Sequence, residues 1–397
     1  MSHLPIVIVG AGHAGVQAAA SLREEGYCDR VVLLSGEKEL PYQRPPLSKA
    51  FLKGAMGRDG LPLRAEQFYR ENDIELRLGV AAARVDLPAR RVDLASGGFV
   101  EFDHLILATG ARPRAFEVPG HDLDGVLGLR NIADALAIRE RLGAGVRVVV
   151  VGAGFIGLEI AATALALGGD VTVVEIAERP LGRAVSRLTS AFFHQAHEAF
   201  GAQFRFSAGV AAIEGSAGKA AAVVLSDGAR IAAEVVIVGV GVLAEDRLAR
   251  DAGLACANGV VVDERLIASD PAVSAIGDCA QFPQGPLGQP IRLESVQNAT
   301  DQGRYVARRL AGKPEPYAAV PWFWSDQGDL KLQIAGLAHG VDRWELRGDP
   351  KSRAFAAFGF RGASLAAVET VNRGGDHMAA RRILDAALPL TPEQASD

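Results

Sequence analysis

Two short glycine patterns carry the first chemistry in the chain. Gly10-Ala-Gly12-His-Ala14-Gly15 and Gly152-Ala-Gly154-Phe-Ile156-Gly157 both read G-x-G-x-x-G, and they start 142 residues apart. Glycine lets a backbone turn sharply and come close to a pyrophosphate, whose charge is met by the free N–H groups at the start of a helix. Each pattern follows an apolar run, LPIVIV at 4–9 and RVVVV at 147–151. Each precedes a helical pattern and a second apolar run, RVVLLS at 30–35 and VTVVE at 171–175. Strand, glycine turn, helix and strand is the context that gives the pattern meaning, and its repetition predicts two bound dinucleotides. Glu175 lies 18 residues past Gly157 at the end of its strand. A carboxylate there accepts hydrogen bonds from a ribose diol and repels a 2′-phosphate, so it favours NADH over NADPH, while Arg179 and Arg183 nearby keep NADPH as the alternative. The first unit has Ser35-Gly36-Glu37 at the matching place, with Glu37 two residues late.

The elements that must position these patterns belong to a large folded chain. It has 397 residues, 49% of them apolar and 22% charged, with a net charge of −5 (42 basic against 47 acidic). That balance argues against a polybasic nucleic-acid or membrane-surface protein. The run at 148–174 is interrupted by Glu159 and three glycines, and reads as a buried βαβ unit. The N-terminus lacks a basic segment with a cleavage site, and three scattered cysteines suit a reducing compartment, so a cytoplasmic location is expected. Cys28, Cys256 and Cys279 form no metal-ligand spacing, and Cys28 is expected to be a packing residue. His194 and His197 lie at i,i+3 on one helical pattern without acidic or thiol partners, and no metal site is expected.

FDHLILATGARP (102–113) and VSAIGDC (273–279) read as further strands ending in turns, and the Pro/Gly stretch 283–290 as a loop. From about 319 the composition changes. LKLQIAGL, AFAAFGF and SLAAVETV alternate in the manner of antiparallel strands, a helix follows at HMAARRILDAAL, and the last eight residues are expected to fray.

In their order the motifs resemble the FAD-dependent NADH:ferredoxin reductases of the glutathione-reductase fold. The resemblance covers essentially the whole chain. PYQRPPLSKAFL (41–52), RLESVQNA (292–299) and PWFWSDQ (321–327) are specific to that branch, and the glycine motifs are shared more widely. It implies an α/β flavoprotein with two Rossmann-type domains and a C-terminal α+β domain. The FAD domain would comprise 1–109 and 238–318, the NADH domain 110–237, and the domain covering the flavin 319–397. Carried over, Gly10, Gly12, Ala14, Gly15, Gly36, Arg44, Ala82, Thr109, Arg130, Asp278, Val296 and Trp324 would hold FAD, with Lys49 beside the flavin ring. Gly152, Gly154, Ile156, Gly157 and Glu175 would hold NADH. Lys49, Glu159 and Glu294 would attend the reacting rings, Lys49 and Glu159 as an ion pair. Relatives with disulfide or single-cysteine redox centres carry a cysteine just after the first βαβ unit, where this chain has none. Electrons would therefore leave the flavin directly and singly to a [2Fe-2S] ferredoxin that serves a cytochrome P450 or a Rieske-type oxygenase. Arg304, Arg308 and Lys313, with Arg309 among them, supply basic charge for docking such an acidic partner. A rubredoxin reductase or a redox-sensing NADH-binding flavoprotein is the alternative reading.

Overall fold

The computed structural model describes residues 4–284, 289–313 and 315–396. The chain divides into two compact units. One is formed by residues 1–43, 59–112 and 242–319, the other by 44–58, 113–241 and 320–397.

The first unit is built on a five-stranded parallel sheet. Its order is Val273–Ala275, His104–Leu107, Ile6–Val9, Val31–Leu34, Ile74–Arg77. Strands of this kind are buried on both faces, which explains their unbroken apolar sequences. Ile6–Val9 and Val31–Leu34 are buried throughout. The helices His13–Glu24 and Val296–Leu310 cross closely, because Gly303 lets Ala14 and Ala18 approach its backbone. A Cβ at Gly303 would lie 2.8 Å from the Ala14 carbonyl oxygen.

The second unit repeats the plan. Its parallel sheet runs Gln203–Arg205, Asp170–Val174, Arg147–Val151, Val235–Val238, Val126–Gly128. The same unit contains an antiparallel five-stranded sheet in the order Trp322–Gln327, Leu330–Gly336, Ser364–Val371, Ala354–Arg361, Arg343–Asp349. Helix Gly374–Asp385 packs on this sheet. The two Rossmann-type sheets and the C-terminal α+β sheet are the expected fold class. Residues 44–58, placed in the first domain on sequence, group with the second unit.

Three expectations need correction. The ends of the 283–290 stretch are strand rather than loop, with Pro283 opposite Pro290 and Gln284 opposite Gln289; 285–288 lie outside the described residues. The C-terminal end does not fray through its length. Pro392–Ser396 is helical, and Ala395 is buried in the core of the antiparallel sheet. Thr391 and Gln394 close a capping box, each side chain accepting from the other's backbone N–H. Cys28 is exposed, because the first helix ends at Glu24 and leaves it in the following turn. No helix among the described residues is long and apolar enough to cross a membrane.

Candidate active site

Each unit holds one glycine turn, and the three glycines of each turn are fixed by different constraints. Gly10 and Gly152 have φ of +107° and +105°, and a Cβ on either would lie 2.2–2.4 Å from a carbonyl oxygen of the neighbouring strand end. Gly15 and Gly157 press on the carbonyls of Gly10 and Gly152, with a Cβ at 1.9 and 2.1 Å. These four are required by the chain's own packing. Gly12 and Gly154 are not. Their φ values are −80° and −78°, open to any residue, and a Cβ there meets nothing within 4 Å. Both begin helices whose first N–H groups receive no side-chain cap. A backbone left bare at a helix start, where neither conformation nor packing asks for glycine, fits the close approach of a pyrophosphate.

The strand ends differ. Glu175 follows the strand Asp170–Val174, and its carboxylate accepts from the backbone N–H of Ala153 (2.7 Å), inside the glycine turn, and of Ala177 (2.8 Å). In the first unit Ser35 exchanges hydrogen bonds with the Glu37 backbone, and the Tyr42 hydroxyl donates to the Glu37 carboxylate.

A buried polar cluster lies within the second unit. Pro45 and Pro46 open a short 3₁₀ turn that presents Ser48 and Lys49. The Lys49 ammonium lies 2.8 Å from Glu159 Oε1 and also donates to the Pro45 carbonyl at 3.3 Å. Glu159 projects from helix Phe155–Ala166 and is only 5% exposed. A buried carboxylate needs full hydrogen-bond compensation, and it has it. Ser325 Oγ donates to Oε1 at 2.7 Å and Ser48 Oγ to Oε2 at 2.5 Å. One turn further along the same helix face, Thr163 donates to the Ser48 carbonyl at 2.9 Å. The predicted ion pair is therefore formed, and it is embedded in hydroxyls that sequence reasoning did not single out.

Similarity to known proteins meets this geometry. The family profile of pyridine nucleotide-disulphide oxidoreductases matches residues 4–303, and that of the reductase C-terminal domain matches 322–397. Rhodocoxin reductase of Rhodococcus erythropolis is 47% identical over 394 residues, spanning 99% of this chain and 92% of that protein. The chain belongs to the ferredoxin reductase family. Among solved structures, the ferredoxin reductase for the CYP199A2 system from Rhodopseudomonas palustris superposes with a TM-score of 0.97 at 46% identity, covering 99% of this chain and 97% of that one. Putidaredoxin reductase, solved in covalent complex with putidaredoxin, gives 0.97 at 37% identity, covering 100% of this chain and 96% of that one. Like its relatives the chain is an oxidoreductase of the kind that uses a flavin and a pyridine nucleotide.

The remaining family positions fall in both units. In the first, Ala82 starts the strand Ala82–Asp86, Gly36 follows Ser35, and Thr109 donates to the Glu245 carbonyl at 2.5 Å. Asp278 lies in the turn Gly277–Cys279, where its carbonyl accepts from Arg292. Val296 opens its helix behind Ser295, whose hydroxyl accepts from the Asn298 N–H. Glu294 pairs with Arg292 at 2.7 Å within the first unit. In the second unit Arg44 donates to the Arg130 carbonyl at 2.7 Å, Ile156 stands exposed on the first turn of its helix, and the Trp324 ring lies against Trp322.

The cysteines and the basic helix also resolve. Cys279 is fully buried, and burial pushes its thiol up, away from the reactive thiolate. On the helix Val296–Leu310, Arg304 sits 3.4 Å from Asp301, while Arg308 and the following Lys313 both reach Glu25. Arg309 does not share that face. It turns inward and donates to Ser274 Oγ at 2.6 Å. His194 packs edge-on against Phe204 and Phe206, and, contrary to the expectation of no acidic partner, its Nε2 lies 3.4 Å from Glu198 one turn along the helix; buried His197 bonds to Gln327.

Sequence reasoning passed over Ser48, Ser325 and Gln327, and named His197 only in setting aside a metal site. The signal was present for the first three. Ser48 adjoins Lys49 in PPLSK, and Ser325 and Gln327 sit in the same WFWSDQ motif that drew attention to Trp324.

Proposed function

We propose that the chain is an NADH-dependent, FAD-containing ferredoxin reductase that delivers electrons singly to a [2Fe-2S] ferredoxin serving a cytochrome P450 or a Rieske-type oxygenase. The observation that carries this reading is the pair of glycine turns with bare second positions, one of them followed by a tethered Glu175. By the family resemblance, Gly10, Gly12, Ala14, Gly15, Gly36, Arg44, Ala82, Thr109, Arg130, Asp278, Val296 and Trp324 would hold FAD, with Lys49 beside the flavin ring. Gly152, Gly154, Ile156, Gly157 and Glu175 would hold NADH.

Bound FAD would supply the redox chemistry, accepting a hydride from NADH and releasing electrons one at a time. The protein's part is alignment and charge. Glu175, held by two backbone N–H groups, is placed to accept from a ribose diol. Arg179, one of the two nearby cations (with Arg183) that could greet a 2′-phosphate, is instead committed to the carbonyls of Gly182, Val185 and Ser186. Lys49 offers an ammonium that would stabilise negative charge on a reduced flavin, and Glu159 fixes where that ammonium points. Names of similar proteins support the acceptor, since rhodocoxin, putidaredoxin and terpredoxin reductases are all among them. Arg304, Arg308 and Lys313 would meet an acidic ferredoxin, with Glu25 tempering the last two.

The test is steady-state reduction of purified acceptors with NADH and with NADPH. Rapid, NADH-selective reduction of one [2Fe-2S] ferredoxin, with rubredoxin slow, is the expected result. Faster reduction of rubredoxin, or slow and equal rates with every acceptor, would overturn the acceptor assignment.

A further inference from the structure

The strand Trp322–Gln327 presents alternate residues to opposite sides. Trp322 and Trp324 share one side, with rings 5.6 Å apart. Phe323, Ser325 and Gln327 share the other. Phe323 meets Phe155 at the start of the Glu159 helix, with ring centroids 4.4 Å apart. Ser325 and Gln327 are both fully buried, as is His197 on the helix Arg187–Phe200.

These three polar side chains are strung in one direction. The Gln327 amide nitrogen donates to Ser325 Oγ at 3.2 Å, and Ser325 Oγ donates onward to Glu159 Oε1 at 2.7 Å. With its nitrogen committed to Ser325, the Gln327 amide turns its oxygen to His197 Nε2, 2.8 Å away. That nitrogen must therefore carry the proton. His197 Nδ1 is buried without a hydrogen-bond partner, as a neutral ring allows, and burial lowers the ring's pKa. Every donor in the string points toward the carboxylate. A buried polar chain costs stability unless each member is satisfied. Such a chain has no packing advantage over apolar residues of similar size, so its presence calls for a task at its end.

We propose that Ser325, Gln327 and His197 form a one-way hydrogen-bond relay that positions the Glu159 carboxylate against the Lys49 ammonium for hydride transfer. Ser48 clamps the second carboxylate oxygen. The three are positioning residues, acting through Glu159 rather than on a cofactor. By this relay the C-terminal sheet, through one strand, sets the geometry of the ion pair, and the histidine at its far end fixes the orientation of the Gln327 amide. The role in hydride transfer rests on the function proposed above, while the positioning of the pair does not.

The experiment compares flavin-loaded wild type, Ser325→Ala and Ser325→Thr. Crystal structures report the Lys49–Glu159 geometry, and anaerobic stopped flow reports flavin reduction over a range of NADH concentrations. In Ser325→Ala the carboxylate should leave Lys49, opening the separation beyond salt-bridge range, and the limiting reduction rate should fall by about tenfold, as for a lost hydrogen bond to a charged group. The NADH concentration at half-maximal rate should change much less. Ser325→Thr, which keeps the hydroxyl, should restore both. An unmoved ion pair, or an unchanged limiting rate, would overturn the proposal. Should Ser325→Ala fail to fold, His197→Leu cuts the string at its far end and carries the same expectations at smaller size. A wild type that NADH does not reduce would instead refute the proposed function, with the relay then judged on the crystal structures alone.

Discussion

The two glycine turns are near copies in backbone and unlike in what surrounds them. Gly10 and Gly152 meet a neighbouring strand end at almost the same distance, and Gly15 and Gly157 meet the turn itself. Five residues past Gly12 the first helix carries Gln17, which donates to Ser21 within its own helix. Five residues past Gly154 the second carries Glu159, bound by side chains from two other elements. At the strand ends, Ser35 is folded onto its own loop while Glu175 reaches back into the turn. The frame that cradles a pyrophosphate is thus generic. The chemistry that separates one turn from the other lies just beyond it, at the strand end and one turn into the helix.

Substitutions can break this comparison at several depths. The largest effects belong to the frame. Gly15→Ala and Gly157→Ala force a Cβ to within 1.9–2.1 Å of a backbone oxygen. Each should cost about 3 kcal/mol or more of folding stability, measured by denaturant unfolding. Gly12→Ala and Gly154→Ala should cost less than about 1 kcal/mol and yet weaken ligand binding at least about tenfold. The first should lose flavin retention and the second pyridine-nucleotide affinity, each by equilibrium titration. Wild-type NADH affinity in Gly154→Ala would contradict the assignment of the second turn.

Next come the helix positions. Glu159→Gln should slow flavin reduction by about 10- to 100-fold, while Gln17→Met, at the matching place, should change it less than about twofold. At the strand end, Glu175→Ala should shift the ratio of kcat/KM for NADH over NADPH toward NADPH by about tenfold. If wild type already uses both equally, that carboxylate is misread.

The last effect is one of pH, and both units carry buried histidines whose protonation burial opposes. In the first, burial and neighbouring Arg309 hold His104 down to about 3. The unfolded chain therefore binds a proton between about pH 6.5 and 3 that the folded chain refuses, so stability is complete above 6.5 and declines as pH falls through that window. The slope from this group is at most about 1.4 kcal/mol per pH unit. His104→Gln should flatten the pH dependence of unfolding by that amount.

What the sequence made legible follows from distance along the chain. The glycine turns, their strands and Glu175 were readable because each pattern closes within about 30 residues, the span of one βαβ unit. The Lys49–Glu159 pair came only through family resemblance. The hydroxyls around it bridge 111 residues from Ser48 and 166 from Ser325, and the His197–Gln327 bond spans 130. No local periodicity encodes such meetings. Other misses were local and avoidable. Thr391-Pro-Glu-Gln394 spells a helix start with proline at its first position. Arg309 follows Arg308 by one residue, about 100° around the helix, which turned it from the exposed face to the interior.

One measurement bears on the whole account more directly than the rest. Holoprotein mixed anaerobically with NADH in a stopped-flow spectrophotometer should lose its blue flavin absorbance in proportion to the NADH added, before any acceptor is present. Protein that binds no flavin, or flavin that keeps its colour under excess NADH, would contradict it.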